Sequence, residues 1–118
     1  MITISGKVIK GEQYGRKLGF PTANLDRREY NRKGLKVKFG VYAGTSSTGH
    51  KAAIVIGPLD KKGWPKLEAH LLGFQGNLYG KKISLELKKY IRPFKKFKTG
   101  QELKKQIAAD VKKVVSLV

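Results

Sequence analysis

From Lys81 to Ile91 the chain alternates apolar and polar residues, with Ile83, Leu85 and Leu87 on one side and lysines, Ser84 and Glu86 between them. Successive side chains of a strand point to opposite faces, so this pattern describes a long antiparallel strand with one buried and one wet face. The same alternation opens the segment from Ile2 to Lys10, and shorter segments also read as strands. Ile2 to Lys10 reads as a first strand, Gly40 to Thr45 as a second, and His50 to Gly57 as its return across the turn Ser46-Ser47-Thr48-Gly49. Lys66 to Phe74 is strand-like again, with Leu67, Ala69 and Leu71 opposite Glu68, His70 and Leu72. Between these, Asp26 to Gly34 is expected to be an exposed excursion, Pro58 to Pro65 a loop, and Gly76 to Gly80 a turn. Only the end is expected to be helical. Thr99 with Glu102 forms a capping-box pattern, after which Leu103, Ile107, Val111 and Val114 or Val115 recur at helical spacing. The expected fold is all-β: a small closed or nearly closed antiparallel barrel of five or six strands with one C-terminal helix packed against it.

A length of 118 residues suits one core, so residues 1–118 are expected to form a single domain. No apolar run approaches the roughly 20 residues that cross a bilayer, and no basic leader precedes an apolar stretch. The expectation is a soluble, cytoplasmic, monomeric protein without membrane contact. The absence of cysteine excludes disulfides and thiolate metal sites, and His50 and His70 do not make a zinc site by themselves. The 26 basic and 8 acidic residues leave a net charge of +18. Such a balance bears on solubility and on non-specific attraction to polyanions, not on fold. The lysines are scattered in pairs through strands, turns and the last helix. Two readings stay open on charge alone: a nucleic-acid-binding barrel, or a solvated basic surface.

The stretch from Gly11 to Leu25 concentrates the chemistry. Gly11, Gly15 and Gly19 let a backbone turn tightly and bring its N–H groups against something bulky and negative; Arg16 and Lys17 add charge there. Pro21 stiffens the exit into Thr22-Ala23-Asn24-Leu25. If those four residues are extended, Thr22 and Asn24 share a face, and a hydroxyl beside an amide carbonyl offers hard oxygen ligands for Mg²⁺ carried by phosphates. The competing reading is a basic surface loop whose Thr and Asn satisfy backbone groups. Glu68 is one of few acids and lies in a strand among apolar neighbours. It is either a partly desolvated carboxylate suited to take a proton from a hydroxyl, or a surface residue paired with a lysine such as Lys66.

The order of these residues adds a further level. Arg16-x-Leu18-Gly19-Phe20-Pro21-Thr22-Ala23-Asn24-Leu25 resembles the signature loop of riboflavin kinases. Leu67-Glu68-Ala69-His70-Leu71-Leu72 with Phe74 and Asn77-Leu78-Tyr79-Gly80 resembles the family's second block. Ile91-Arg92-Pro93 with Lys96-Phe97, and Leu103-x-x-Gln106-Ile107-x-x-Asp110, resemble a third and a fourth. The resemblance covers nearly the whole chain and is to a stand-alone kinase domain like the C-terminal half of bacterial bifunctional riboflavin kinase/FAD synthetases. It implies a six-stranded Greek-key barrel that binds ATP and riboflavin on opposite sides of one site and yields FMN. It further implies Glu68 as catalytic base and Thr22 and Asn24 as Mg²⁺ ligands. Gly11, Gly15, Arg16, Lys17, Gly19 and Pro21 would hold the nucleotide phosphates, Leu78 and Tyr79 the nucleotide, and Arg92, Phe97 and Leu103 the flavin. Two positions depart from the family pattern: Val55 stands where an asparagine is usual, and Phe94 where a glutamate is usual. The His-x-Gly-His motif of the adenylyltransferase half is absent, so FMN is the expected final product. The alternatives to a kinase are the nucleic-acid-binding barrel and a catalytically silent flavin-binding barrel.

Overall fold

The computed structural model describes residues 2–10 and 22–118. The strands are β1 (Ile2–Ile9), β2 (Ala23–Leu25), β3 (Gly40–Ser46), β4 (Lys51–Leu59), β5 (Pro65–Leu71) and β6 (Lys82–Arg92). They close into an antiparallel barrel in the order β1-β2-β5-β4-β3-β6. The run β3-β4-β5 is a meander, and β2 returns to lie beside β5, which is the Greek-key arrangement.

Alternation decides which side chains fill the barrel. Ile4, Val8, Leu25, Tyr42, Ile54, Ile56, Leu67, Ala69, Ile83, Leu85 and Leu87 form one buried cluster inside it. Their strand neighbours face outward. Where β3 crosses β6 the register shifts between Ala43 and Gly44. A Cβ on Gly44 would run into the carbonyl oxygen of Glu86, so the absence of a side chain is what lets the two strands approach there.

The terminal helix α2 (Gly100–Leu117) lies on the outside of the barrel, with Val114 against Ala43 and Ala53. Its start follows the capping pattern in part. Thr99 Oγ1 accepts from the Glu102 N–H at 3.1 Å, but the Glu102 carboxylate reaches one residue further back and accepts from the Lys98 N–H at 3.2 Å. Of the two candidate residues at the helix end, Val114 is buried and Val115 is 56% exposed.

Three expectations need correction. The segment from Asp26 to Gly34 contains a short helix, α1 (Arg28–Arg32), whose Tyr30 is buried in the barrel cluster, so the C-terminal end is not the only helical part. The segment stays put through ion pairs: Lys82 of β6 reaches Glu29 at 2.7 Å, and Arg28 doubles back on Asp26 at 2.7 Å. Secondly, Pro58, Leu59 and Pro65 belong to strands, with Leu59 paired to Pro65, so the loop is shorter than its prolines suggest. Thirdly, β5 ends at Leu71, and Phe74 lies beyond it in a turn whose Phe74 N–H donates to the Leu71 carbonyl.

Candidate active site

The barrel register brings one outward residue from each strand into a single transverse row. Ile9 pairs with Asn24, Asn24 with Glu68, Glu68 with Val55, Val55 with Val41, and Val41 with Arg92. All six line a groove of about 700 Å³ between the barrel wall, the start of α2 and the segment 93–99. One end of the row is polar. Asn24 and Glu68 are joined there by Thr22, Lys10, Arg27 and Lys66. The other end gathers the apolar side chains of Val55, Val41, Leu103, Ile107, Phe94 and Phe97 beside Arg92, Asp110 and Lys95, Lys96 and Lys98 of the bordering segment. Glu68 stands at the boundary.

The Glu68 side chain is about one-third exposed, and its Oε1 lies 3.8 Å from Nε2 of the buried His70. At the polar end, Arg27 lies 2.6 Å from Asp60 and 5.7 Å from the Trp64 ring centroid. Asp60 accepts from the Trp64 and Lys62 N–H groups at 3.1 and 2.9 Å. These backbone donors, Trp64 foremost, with Arg27 in support, hold its carboxyl below the usual carboxylate range. At the apolar end, Arg92 Nε and Nη2 donate to the two oxygens of Asp110 at 2.9 and 2.8 Å, while Nη1 donates to the Pro93 carbonyl at 3.1 Å. The guanidinium lies 6.0 Å from the Phe97 ring centroid.

Of the residues named from sequence, Glu68, Thr22, Asn24, Arg92, Phe97 and Leu103 come together in this groove. Leu78 and Tyr79 pack against the barrel cluster and are not among its lining residues. Tyr79 neighbours the groove residue Lys10, whose Nζ lies 6.0 Å from its ring centroid. Gly11, Gly15, Arg16, Lys17, Gly19 and Pro21 lie outside the described residues. Val55 and Phe94, the two departures from the family pattern, both line the groove.

Sequence reading missed Lys10, Arg27, His70 and Asp110 as groove residues. Asp110 carried a signal: it falls three residues after Ile107 and four before Val114, where an apolar stripe would continue. For Arg27 there was none, since its partner Asp60 is distant in sequence. Among the described residues no cluster of three His, Cys, Asp or Glu could hold a metal alone. Thr22 and Asn24 are neutral oxygen donors on one side of the groove. That set suits a cation that takes its other ligands from phosphates and water, as Mg²⁺ does.

The family model described as "Flavokinase: Riboflavin kinase" matches residues 1–118. The chain is 37% identical over 115 residues to the "RNA-binding riboflavin kinase RibR" of Bacillus subtilis, a match covering 94% of this chain and 49% of that protein. It is 41% identical over 113 residues to the bifunctional riboflavin kinase/FMN adenylyltransferase of Escherichia coli K12, covering 91% of this chain and 35% of that one. The chain thus spans half or less of the length of these curated relatives. The solved riboflavin kinase of Trypanosoma brucei superposes with a TM-score of 0.71 at 26% identity, over 97% of this chain and 77% of that one. A barrel of this topology, a groove with Thr22 and Asn24 on one side of Glu68 and Val55, Val41 and Phe97 on the other, and a family match from end to end agree: the chain belongs to the riboflavin kinase family.

Proposed function

We propose that this chain transfers the γ-phosphoryl group of ATP to the ribityl 5′-hydroxyl of riboflavin, giving FMN and ADP. The observation that carries the reading is the make-up of the groove, with the neutral oxygens of Thr22 and Asn24 and nearby cations on one side of Glu68, and a cluster of apolar side chains beside the paired Arg92 and Asp110 on the other. Polyphosphate suits the first half and a flat aromatic ring system the second. A hydroxyl linking the two would sit at the carboxylate.

In this scheme Glu68 accepts the hydroxyl proton as the oxygen attacks the γ-phosphorus and the bond to the β,γ-bridging oxygen breaks. Such a reaction asks the protein chiefly for in-line positioning and charge neutralisation. Thr22 and Asn24 hold Mg²⁺, which when bound neutralises phosphate charge. Lys10, Arg27 and Lys66 add cations around the polyphosphate half. Gly11, Gly15, Arg16, Lys17, Gly19 and Pro21 are assigned to the phosphates and Leu78 and Tyr79 to the nucleotide on the family resemblance. Arg92, Phe97 and Leu103 flank the flavin. A monomer is the working unit in this scheme. No helix among the described residues is long and apolar enough to cross a membrane; use of ATP supports a cytoplasmic setting.

Incubation with riboflavin, ATP and Mg²⁺, followed by chromatographic separation of riboflavin and FMN, tests the proposal. FMN that depends on all three components is the expected result. Riboflavin bound but unconverted would favour the silent barrel instead.

A second activity is favoured by the +18 charge and by the RNA binding of the similar B. subtilis protein: contact with nucleic acid. With lysines dispersed over the chain, such contact is expected to be non-specific. Affinity for any single-stranded RNA should then fall steeply with salt and show no sequence preference in filter binding. Tight binding to one sequence at high salt would overturn this.

A further inference from the structure

We infer that Asp110 is a positioning residue for the flavin half of the site, acting through Arg92; the inference rests on the kinase reading above. Asp110 is one of eight acids in a chain of 26 cations, yet it is not a surface residue. Its side chain is 6% exposed, on the face of α2 that meets the barrel. Both of its oxygens are used. Oδ1 accepts from Arg92 Nε and from Gln106 Nε2 at 3.0 Å, and Oδ2 accepts from Arg92 Nη2.

A carboxylate that meets a guanidinium edge to edge fixes the plane of the guanidinium as well as its distance. The third nitrogen of Arg92 holds the Pro93 carbonyl, the first residue of the segment that borders the apolar half of the groove. Strand β6, helix α2 and the segment 93–99 therefore meet at one guanidinium. Gln106, one helical turn before Asp110, fixes the carboxylate in its turn. A helix held to a barrel only by packing would not need this arrangement, since Val114 already supplies an apolar contact further along. The Asp110–Arg92 pair sits instead at the groove, where Arg92 continues the row that contains Glu68. Loss of the carboxylate would free the guanidinium and the bordering segment while leaving Thr22, Asn24 and Glu68 in place. The consequence falls on recognition of riboflavin and not on ATP or on the chemical step.

The test compares steady-state constants of the intact protein, Asp110→Asn, Asp110→Glu and Val114→Ala. In Asp110→Asn the KM for riboflavin should rise about tenfold, with the KM for ATP and kcat changed less than about threefold. Asp110→Glu, which keeps the charge, should recover part of the loss. Val114→Ala loosens the same helix without touching Arg92 and should lower the melting temperature with little change in either KM. If Asp110→Asn does not fold, Gln106→Leu, which leaves the ion pair but removes the amide that fixes it, should raise the riboflavin KM alone about threefold. A riboflavin KM unchanged in these variants, or moved as far by Val114→Ala as by Asp110→Asn, overturns the inference and leaves the kinase reading intact. Absence of FMN from the unaltered protein overturns the kinase reading and the inference with it.

Discussion

In the proposed reaction Glu68 is the residue on which the chemistry would turn, and its position explains why the replacement to make is isosteric. Glu68→Gln keeps the shape between Asn24 and Val55 but cannot accept a proton. General-base contributions are about 10²–10⁴-fold, so kcat should fall by that order while riboflavin and ATP affinities, measured by titration, stay within about threefold. Near-normal turnover would remove Glu68 from the role. Asn24, directly across from it, makes a separable contribution. Asn24→Ala should shift the Mg²⁺ dependence of turnover to higher concentration, and an unchanged magnesium titration would count against its oxygen as a ligand. Both residues were legible in the sequence, because each is a polar side chain at an outward position between inward apolar ones. His70 and Arg27 were not legible as site residues, because their relevance depends on which side chains the closed barrel sets beside them.

At the scale of elements, strands announced themselves and the first helix did not. Period-two alternation survives wherever one face of a strand is wet, as in β1, β6 and most of β5, whereas β3 and β4 are buried almost throughout. Helix α1 has five residues and a single inward side chain, Tyr30, too few for any helical period. Its place depends on Glu29 meeting Lys82, a contact between distant parts of the chain that no local pattern encodes. Crowding between strands leaves its own mark at Gly44. In Gly44→Ala the new methyl would meet the Glu86 carbonyl, a backbone group that cannot swing aside as a side chain can, and Cδ1 of Ile54. A loss of about 1–3 kcal/mol is expected in urea unfolding, the usual range for overpacking. A stability equal to that of the unaltered protein would mean that β3 and β6 separate there at little cost.

For the whole molecule, charge sets the response to acid. Asp26, Glu29 and Asp60 all have carboxyls held below their ordinary range, chiefly by Arg28, by Lys82 and by the Trp64 N–H respectively. A depressed folded-state value means that the unfolded chain takes up protons first as pH falls. The stabilisation is complete above the ordinary carboxylate values and is lost as pH drops from about 5 through the folded values. Protonation also removes the few negative charges that offset 26 cations, so self-repulsion grows in the same window. The melting temperature should be flat from about pH 6 to 8 and decline below about pH 4, with added salt recovering part of the loss. A flat profile down to pH 3 would show that these three carboxylates contribute nothing to stability.

The row from Ile9 to Arg92 draws one member from every strand, and side-chain direction reverses with each residue along a strand. A one-residue slip in any strand would therefore turn its member into the barrel interior. The proposed catalysis would thus work as a register gauge. In a refolding mixture, circular dichroism would count slipped and correct barrels alike, whereas FMN formation would count only those whose hydrogen-bonded ring has closed in step. Misassembled chains would be silent, not promiscuous, and recovered turnover should lag behind recovered strand signal by the time the barrel needs to correct its errors.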